Sequence, residues 1–289
     1  MNIKVNQLTK QYRQRKVLDE VSFELHGPAI IGFLGHNGAG KTSFLNILSG
    51  LVEQSSGSVE VDGKPVFNHA EIMKQICFIA ETGNFPLHVT VDQVLKMNKL
   101  FFPNWNEGLA EELLIQFSLN KRDKIKTMSK GMVSALGVIT GLASEAPITI
   151  FDEPYIGMDA SGRQLFYELL VEQQAIEPRT FILSTHLIDE ASNLFEDVLI
   201  LHEGKLILHK PYEEIQSSIV KVKGRLEDIE AYVAGGMIIH RGQFMNEHIA
   251  VVMHDQPTAI TQASLKLEAV KLQELLVLLS KNKRRELSR

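Results

Sequence analysis

One cysteine, Cys77, and one tryptophan, Trp105, are all that the 289 residues hold of those two types. A single thiol excludes an intramolecular disulfide framework and any multi-thiolate metal site, and it fits a reducing compartment. Long apolar runs are also missing. No window approaches the roughly 20 uninterrupted apolar residues of a membrane-spanning helix, so the chain is not expected to cross a bilayer. The opening MNIKVNQLTKQYRQRK lacks the apolar centre of a signal peptide, which places the chain in the cytoplasm. An excess of positive charge is absent too: 30 Lys and Arg face 35 Asp and Glu, a net charge of −5 that gives no reason to invoke nucleic acid. Low-complexity stretches and internal repeats are lacking, and 44% hydrophobic with 22% charged residues is the composition of a folded globular chain.

What is present is an alternation. Short apolar runs rich in β-branched residues recur at 29–34, 76–80, 148–151, 180–184 and 198–201 and read as buried strands. Helical patterns lie between them, as at 41–49 and 162–174, and strand alternating with helix implies a largely parallel α/β sheet covered on both faces. Val21-Ser22-Phe23-Glu24-Leu25 alternates instead, and with 58–61 it predicts an antiparallel flap, making the core a mixed sheet. From about residue 90 to 143 strands stop and helical spacing takes over, with Leu109, Leu113, Leu114 and Phe117 on one face. After about 215 short β-like runs return, at 237–240 and 248–254, followed by Pro257 and a final helix with Leu272, Leu275, Leu276 and Leu279 in register. The division expected is 1–215, with a helical insertion at about 85–145, and a small α+β extension over 216–289. The last nine residues, KNKRRELSR, carry five basic side chains and one acidic, which fits a solvated tail or a contact with anionic headgroups.

Two segments carry chemistry. Gly35-His36-Asn37-Gly38-Ala39-Gly40-Lys41-Thr42 fits G-x-x-x-x-G-K-[ST] at every required position, after a strand and before a helix. Its glycines let backbone N–H groups turn toward phosphate oxygens, the helix N-terminus adds positive potential, Lys41 reaches the β/γ-phosphates and the Thr42 hydroxyl holds Mg²⁺. Ser43, next along the helix, joins the candidate nucleotide contacts. The strand Ile148-Thr149-Ile150-Phe151 ends in Asp152 and Glu153. Asp152 is placed to hold the metal and Glu153 to polarise an attacking water.

These motifs resemble the nucleotide-binding subunits of ATP-binding cassette (ABC) transporters over residues 1–215. The resemblance implies a P-loop NTPase cassette that binds ATP and Mg²⁺. By the same resemblance Tyr12 stacks on adenine, and Asp159 of Gly157-Met158-Asp159 lies in a loop that communicates between subunits. His186 of Ser184-Thr185-His186 corresponds to the family's switch histidine at the γ-phosphate. The family's LSGGQ signature stands here as Met128-Ser129-Lys130-Gly131-Met132, retaining Ser129 and Gly131 for the phosphate bound by the opposite subunit. Glu81 occupies the place of the family's glutamine near the metal and adds a negative charge beside phosphates.

The SKGM variant, Glu81 and the run Phe101-Phe102-Pro103-Asn104-Trp105 are similar to the bacitracin-exporter branch. The resemblance further implies a homodimer sandwiching two ATP molecules, peripheral on the inner face of the membrane. It would power an integral membrane permease that exports a drug, peptide or envelope-related compound, with Asn84, Phe85, Pro86 and Leu87 as candidate permease contacts. Two alternatives stay open, a soluble ABC ATPase outside transport and a nucleotide-dependent regulatory module with weak hydrolysis. A P-loop small-molecule kinase would leave Ser129, Asp159 and His186 unexplained. The histidines His240, His248 and His254 have no metal-ligand arrangement, and a surface or packing role is expected for them.

Overall fold

The computed structural model describes residues 1–244, 247–254 and 265–286. In chain order it places β1 (Asn2–Tyr12), β2 (Arg15–His26), β3 (Ala29–Leu34), α1 (Lys41–Leu48), β4 (Ser56–Val61), β5 (Lys64–Pro65), α2 (Ala70–Met73) and β6 (Ile76–Ile79). Helices α3 (Val91–Phe101), α4 (Glu107–Gln116) and α5 (Lys130–Ala143) precede β7 (Ile148–Asp152), α6 (Ala160–Ile176), β8 (Thr180–Ser184) and α7 (Ile188–Ala191). Then come β9 (Asp197–His202), β10 (Lys205–Pro211), α8 (Tyr212–Ser218), β11 (Ile219–Gly224), α9 (Leu226–Val233), β12 (Met237–Phe244), β13 (Glu247–Met253), β14 (Lys266–Ala269) and α10 (Leu272–Glu286).

The central sheet has the order β10-β9-β3-β8-β7-β6, parallel throughout except for the β9–β10 pair. Every residue of β3, β7 and β8 is buried, as strands covered on both faces require. The strand period of two sorts their side chains. Ile30, Leu34, Phe151, Phe181, Leu183, Val198 and Ile200 face the helices α3 to α6, in one continuous apolar cluster. Ile31, Phe33, Ile148, Ile150, Ile182, Leu199 and Leu201 face α1 and the antiparallel sheet β2-β1-β4-β5. Val21, Phe23 and Leu25 of β2 point into that second cluster while Ser22 and Glu24 are exposed, which is the flap that the alternation predicts.

Between β6 and β7 the chain is helical. Thr90 caps α3 by accepting from the Gln93 N–H, with the Gln93 side chain returning to the Thr90 N–H, and Asn106 caps α4 through the Leu109 N–H. Strand β6 stops one residue short of Ala80 because the Asn84 side chain takes both the N–H and the carbonyl of Ala80. Asn84 is thereby turned inward and Phe85 packs against the core, so of the four candidate permease contacts Pro86 and Leu87 are the exposed ones. The aromatic run divides likewise: Phe102 is buried, Trp105 half-buried and Phe101 exposed.

The C-terminal region forms a second antiparallel sheet, β12-β13-β11-β14, with α9 packed on it through Ile229, Tyr232 and Val233. Of its strands the sequence pattern marked parts of β12 and β13 and left β11 and β14 unread. Helix α8 spans residue 215, and Ile215 and Ile219 share the helix-side apolar cluster of the central sheet. Leu272, Leu275 and Leu276 of α10 are buried in that same cluster with Ile188 and Ala191 of α7, so the last described helix folds back onto the first region. Among the described residues no helix is long and apolar enough to cross a membrane. Most of the basic C-terminal run, and Pro257, lie outside the described side chains.

Candidate nucleotide site

The loop 35–40 leaves the end of β3 and enters α1, so its position follows from a fully buried central strand. Gly38 and Gly40 adopt φ of +80° and +108°, and a Cβ on Gly40 would stand 2.4 Å from the Val17 carbonyl oxygen. Only glycine fits there without displacing β2. Lys41 is buried and folds its ammonium onto the Gly35 carbonyl at 2.6 Å. Burial pulls its pKa down, opposed by the charges of Glu153 and Asp152. A phosphate arriving at the loop therefore meets a cation that, among the described residues, hydrogen-bonds a backbone oxygen within the same loop.

Register between strands brings the acidic pair to this loop. The Thr42 hydroxyl donates to Asp152 Oδ2 at 2.9 Å, joining the first turn of α1 to the end of β7. Thr42, Asp152 and Glu81 line one cavity of about 390 Å³ together with Lys41, Ser43, Glu153 and Arg15. These are hard oxygen donors, the set that suits Mg²⁺, which keeps several waters and shares phosphate oxygens instead of filling an all-protein cage. Among the described residues no group of three or more His, Cys, Asp or Glu is arranged to hold a metal ion.

Glu153 follows with φ of +52°, a left-handed backbone that costs of order 1 kcal/mol and persists only where surroundings fix it. Here its N–H bonds the Ser184 carbonyl at 3.0 Å, and its Oε2 receives two side chains. His186 Nδ1 lies 2.6 Å away and the Tyr155 hydroxyl donates at 2.7 Å. His186 also lines a larger cavity of about 700 Å³ beside Gly35 to Ala39, which Gln273, Val277 and Lys281 of α10 bound from the other side. The loop, the two carboxylates and the histidine are thus brought to one face at the C-terminal ends of β3, β7 and β8.

Four further residues stand apart from it. Tyr12 is 45% exposed with Lys10 Nζ over its ring at 4.9 Å, and lines neither cavity; its hairpin partner Arg15 lines both. Ser129 caps α5 by accepting from the Met132 N–H at 3.2 Å, exposed and outside both cavities. Asp159 caps α6, accepting from the Gly162 N–H and the Ser161 hydroxyl, each at 2.8 Å. Gly131 packs against the loop that follows Glu153, its would-be Cβ facing Gly157. Spacing alone did not disclose Tyr155, Thr185, Arg15 or the α10 residues, because each reaches the site through tertiary packing.

The chain is similar to known proteins. The family model described as ABC transporter matches residues 18–156. An ABC transporter ATP-binding protein of Methanocaldococcus jannaschii is 36% identical over 218 residues, covering 74% of this chain and 79% of that protein. The bacitracin transport ATP-binding protein BcrA of Bacillus licheniformis is 32% identical over 221 residues, covering 74% of this chain and 71% of its own length. A solved structure of the ATP-binding subunit of an ABC transporter superposes with a TM-score of 0.68 at 25% identity, over 75% of this chain and 92% of that one. On these likenesses, and with its phosphate loop and acidic strand on that shared fold, the chain belongs to the ABC transporter ATP-binding family.

Proposed function

We propose that this chain binds and hydrolyses ATP to power a separate integral membrane permease, exporting a drug, peptide or envelope-related compound. The observation that carries the reading is the convergence of Lys41, Thr42, Asp152, Glu153 and His186 at one face of the central sheet. Lys41 and the loop N–H groups bind and orient phosphates. Thr42, Asp152 and Glu81 hold Mg²⁺, which when bound neutralises phosphate charge. Glu153 takes the proton of the attacking water, and His186 leaves Glu153 to hold the γ-phosphate. Glu81 adds a carboxylate beside the phosphates, so metal dependence is expected to differ from that of cassettes with an amide there.

Ser129 and Gly131 do not reach the nucleotide cavities of their own chain, which supports a homodimer in which each signature segment completes the partner's site. Tyr12 stacks on adenine beside Arg15, and Asp159 takes part in communication between subunits. ATP drives such a dimer only by binding its closed form more tightly than its open one. The export class rests on likeness to the bacitracin transport protein, and the exposed Leu87 and Phe101 offer apolar surface for the permease.

The test is Glu153→Gln in the purified full chain. Turnover is expected to fall by about 100-fold or more while ATP binding is retained and an ATP-stabilised dimer accumulates on gel filtration. Turnover equal to that of the parent would remove Glu153 from the role of base. Recovery of a stoichiometric polytopic membrane protein with the tagged chain in mild detergent supports the permease, and recovery of ribosomes or soluble partners alone overturns it.

A further inference from the structure

The two donors on Glu153 Oε2 differ in how firmly they are held. His186, whose side chain is 59% exposed, lines the larger cavity and has open space beside it. Tyr155 is 3% exposed, its ring edge-on to Tyr167 and His186, and it has no room to leave. Its hydroxyl is also hydrogen-bonded to Thr185 Oγ1, which accepts the Leu187 N–H at 2.9 Å. A carboxylate only accepts, so the Tyr155 proton points to Glu153 and the Thr185 proton must point to Tyr155. The chain therefore has one sense: Leu187 N–H to Thr185, Thr185 to Tyr155, Tyr155 to Glu153.

We propose that Tyr155 is the positioning residue for Glu153, the fixed donor that holds the carboxylate oriented when His186 turns away to the γ-phosphate, with Thr185 orienting the tyrosine hydroxyl in turn. The assignment rests on the reading of Glu153 as base. Without Tyr155, a departing histidine would leave Glu153 on a strained backbone with no side-chain hydrogen bond from the described residues, and a base misplaced by about 1 Å loses much of its advantage. The directed chain also ties the glutamate to the backbone just beyond His186, so the element carrying the histidine and the element carrying the base share one hydrogen-bonded connection.

The experiment compares the full-length parent, Tyr155→Phe, Thr185→Val and the double variant in steady-state ATP hydrolysis, with fluorescent-ATP affinity and melting temperature measured on each. Tyr155→Phe keeps the ring and removes the hydroxyl. Its expected effect is a kcat lower by about 10-fold, with KM and nucleotide affinity within about twofold of the parent. Thr185→Val lowers kcat by a smaller factor, and the double variant is no slower than Tyr155→Phe, since both act through one chain. A kcat for Tyr155→Phe within twofold of the parent overturns the assignment. So do losses that multiply in the double variant, or a fall in kcat matched by a fall in affinity and melting temperature. A parent without ATPase activity overturns the functional reading itself, and is told apart from the first case because there the parent turns over.

Discussion

A methyl group placed on Gly131 would stand 2.4 Å from the carbonyl oxygen of Gly157, and one placed on Gly157 would meet Lys130 Cβ at 2.8 Å. The start of α5 and the loop after Glu153 thus touch backbone to backbone. Ser134 reinforces the contact, donating its hydroxyl to the Ile156 carbonyl at 2.7 Å. The segment proposed to reach a partner's phosphate and the loop that follows Glu153, the proposed base, are consequently fastened within one subunit, and a displacement of either is carried to the other.

Gly131→Ala is therefore expected to cost stability, by about 1–3 kcal/mol as overpacking does, and to slow ATP turnover. Gly108→Ala in α4 is the control, because its nearest neighbour to a new Cβ is an ordinary 3.5 Å away. Urea unfolding of the two variants beside the parent checks this, and equal midpoints for Gly131→Ala and the parent would show that the contact yields without cost.

Cys77 lies inside β6 at 2% exposure, and burial pushes its thiol up to about 12. At pH 8 only about one part in ten thousand is thiolate, on a side chain that reagents do not reach. Native protein is expected to resist a disulfide-exchange reagent that labels one thiol per chain in denaturant. Rapid labelling of the native protein would place β6 in an opening segment.

Asp159 holds a pKa below the usual aspartate range, chiefly through the Gly162 N–H and then the Ser161 hydroxyl. Because its folded pKa is the lower one, the stabilisation is present above about pH 4, the unfolded value, and is lost as pH falls through the folded value. Asp159→Ala should melt below the parent near neutral pH, with the difference shrinking as pH drops under about 4. A difference that stays constant across that window would mean the carboxylate charge contributes nothing to the cap of α6.

What was legible in the sequence is what local spacing dictates. The phosphate loop needs glycines at fixed offsets between a strand and a helix, and the buried strands announce themselves as unbroken apolar runs, so Gly35 to Thr42 and the core strands could be read directly. Strands β11 and β14 could not, because Lys266–Ala269 is exposed along its whole length and β11 buries only Ile219 and Val222, three residues apart, so neither carries a period of two. Tyr155 was invisible for a different reason. Its role depends on Thr185, thirty residues away, arriving just past the end of the neighbouring strand β8, and no one-dimensional pattern records that meeting. Ser129 and Asp159 were found by resemblance, while their structural duty as helix caps follows from chemistry at the sites where they stand.

Helix α10 places Leu272, Leu275 and Leu276 against Ile188 and Ala191, just beyond His186. That pairing sets an order of events during synthesis. The apolar face of Ile188 and Ala191, beside His186, has no α10 to pack against while the ribosome makes β9 through β14, and α10 covers it only on emerging. This part of the core is completed only after residues 272–286 have been made, and until then the nascent chain leaves Ile188 and Ala191 uncovered close to His186.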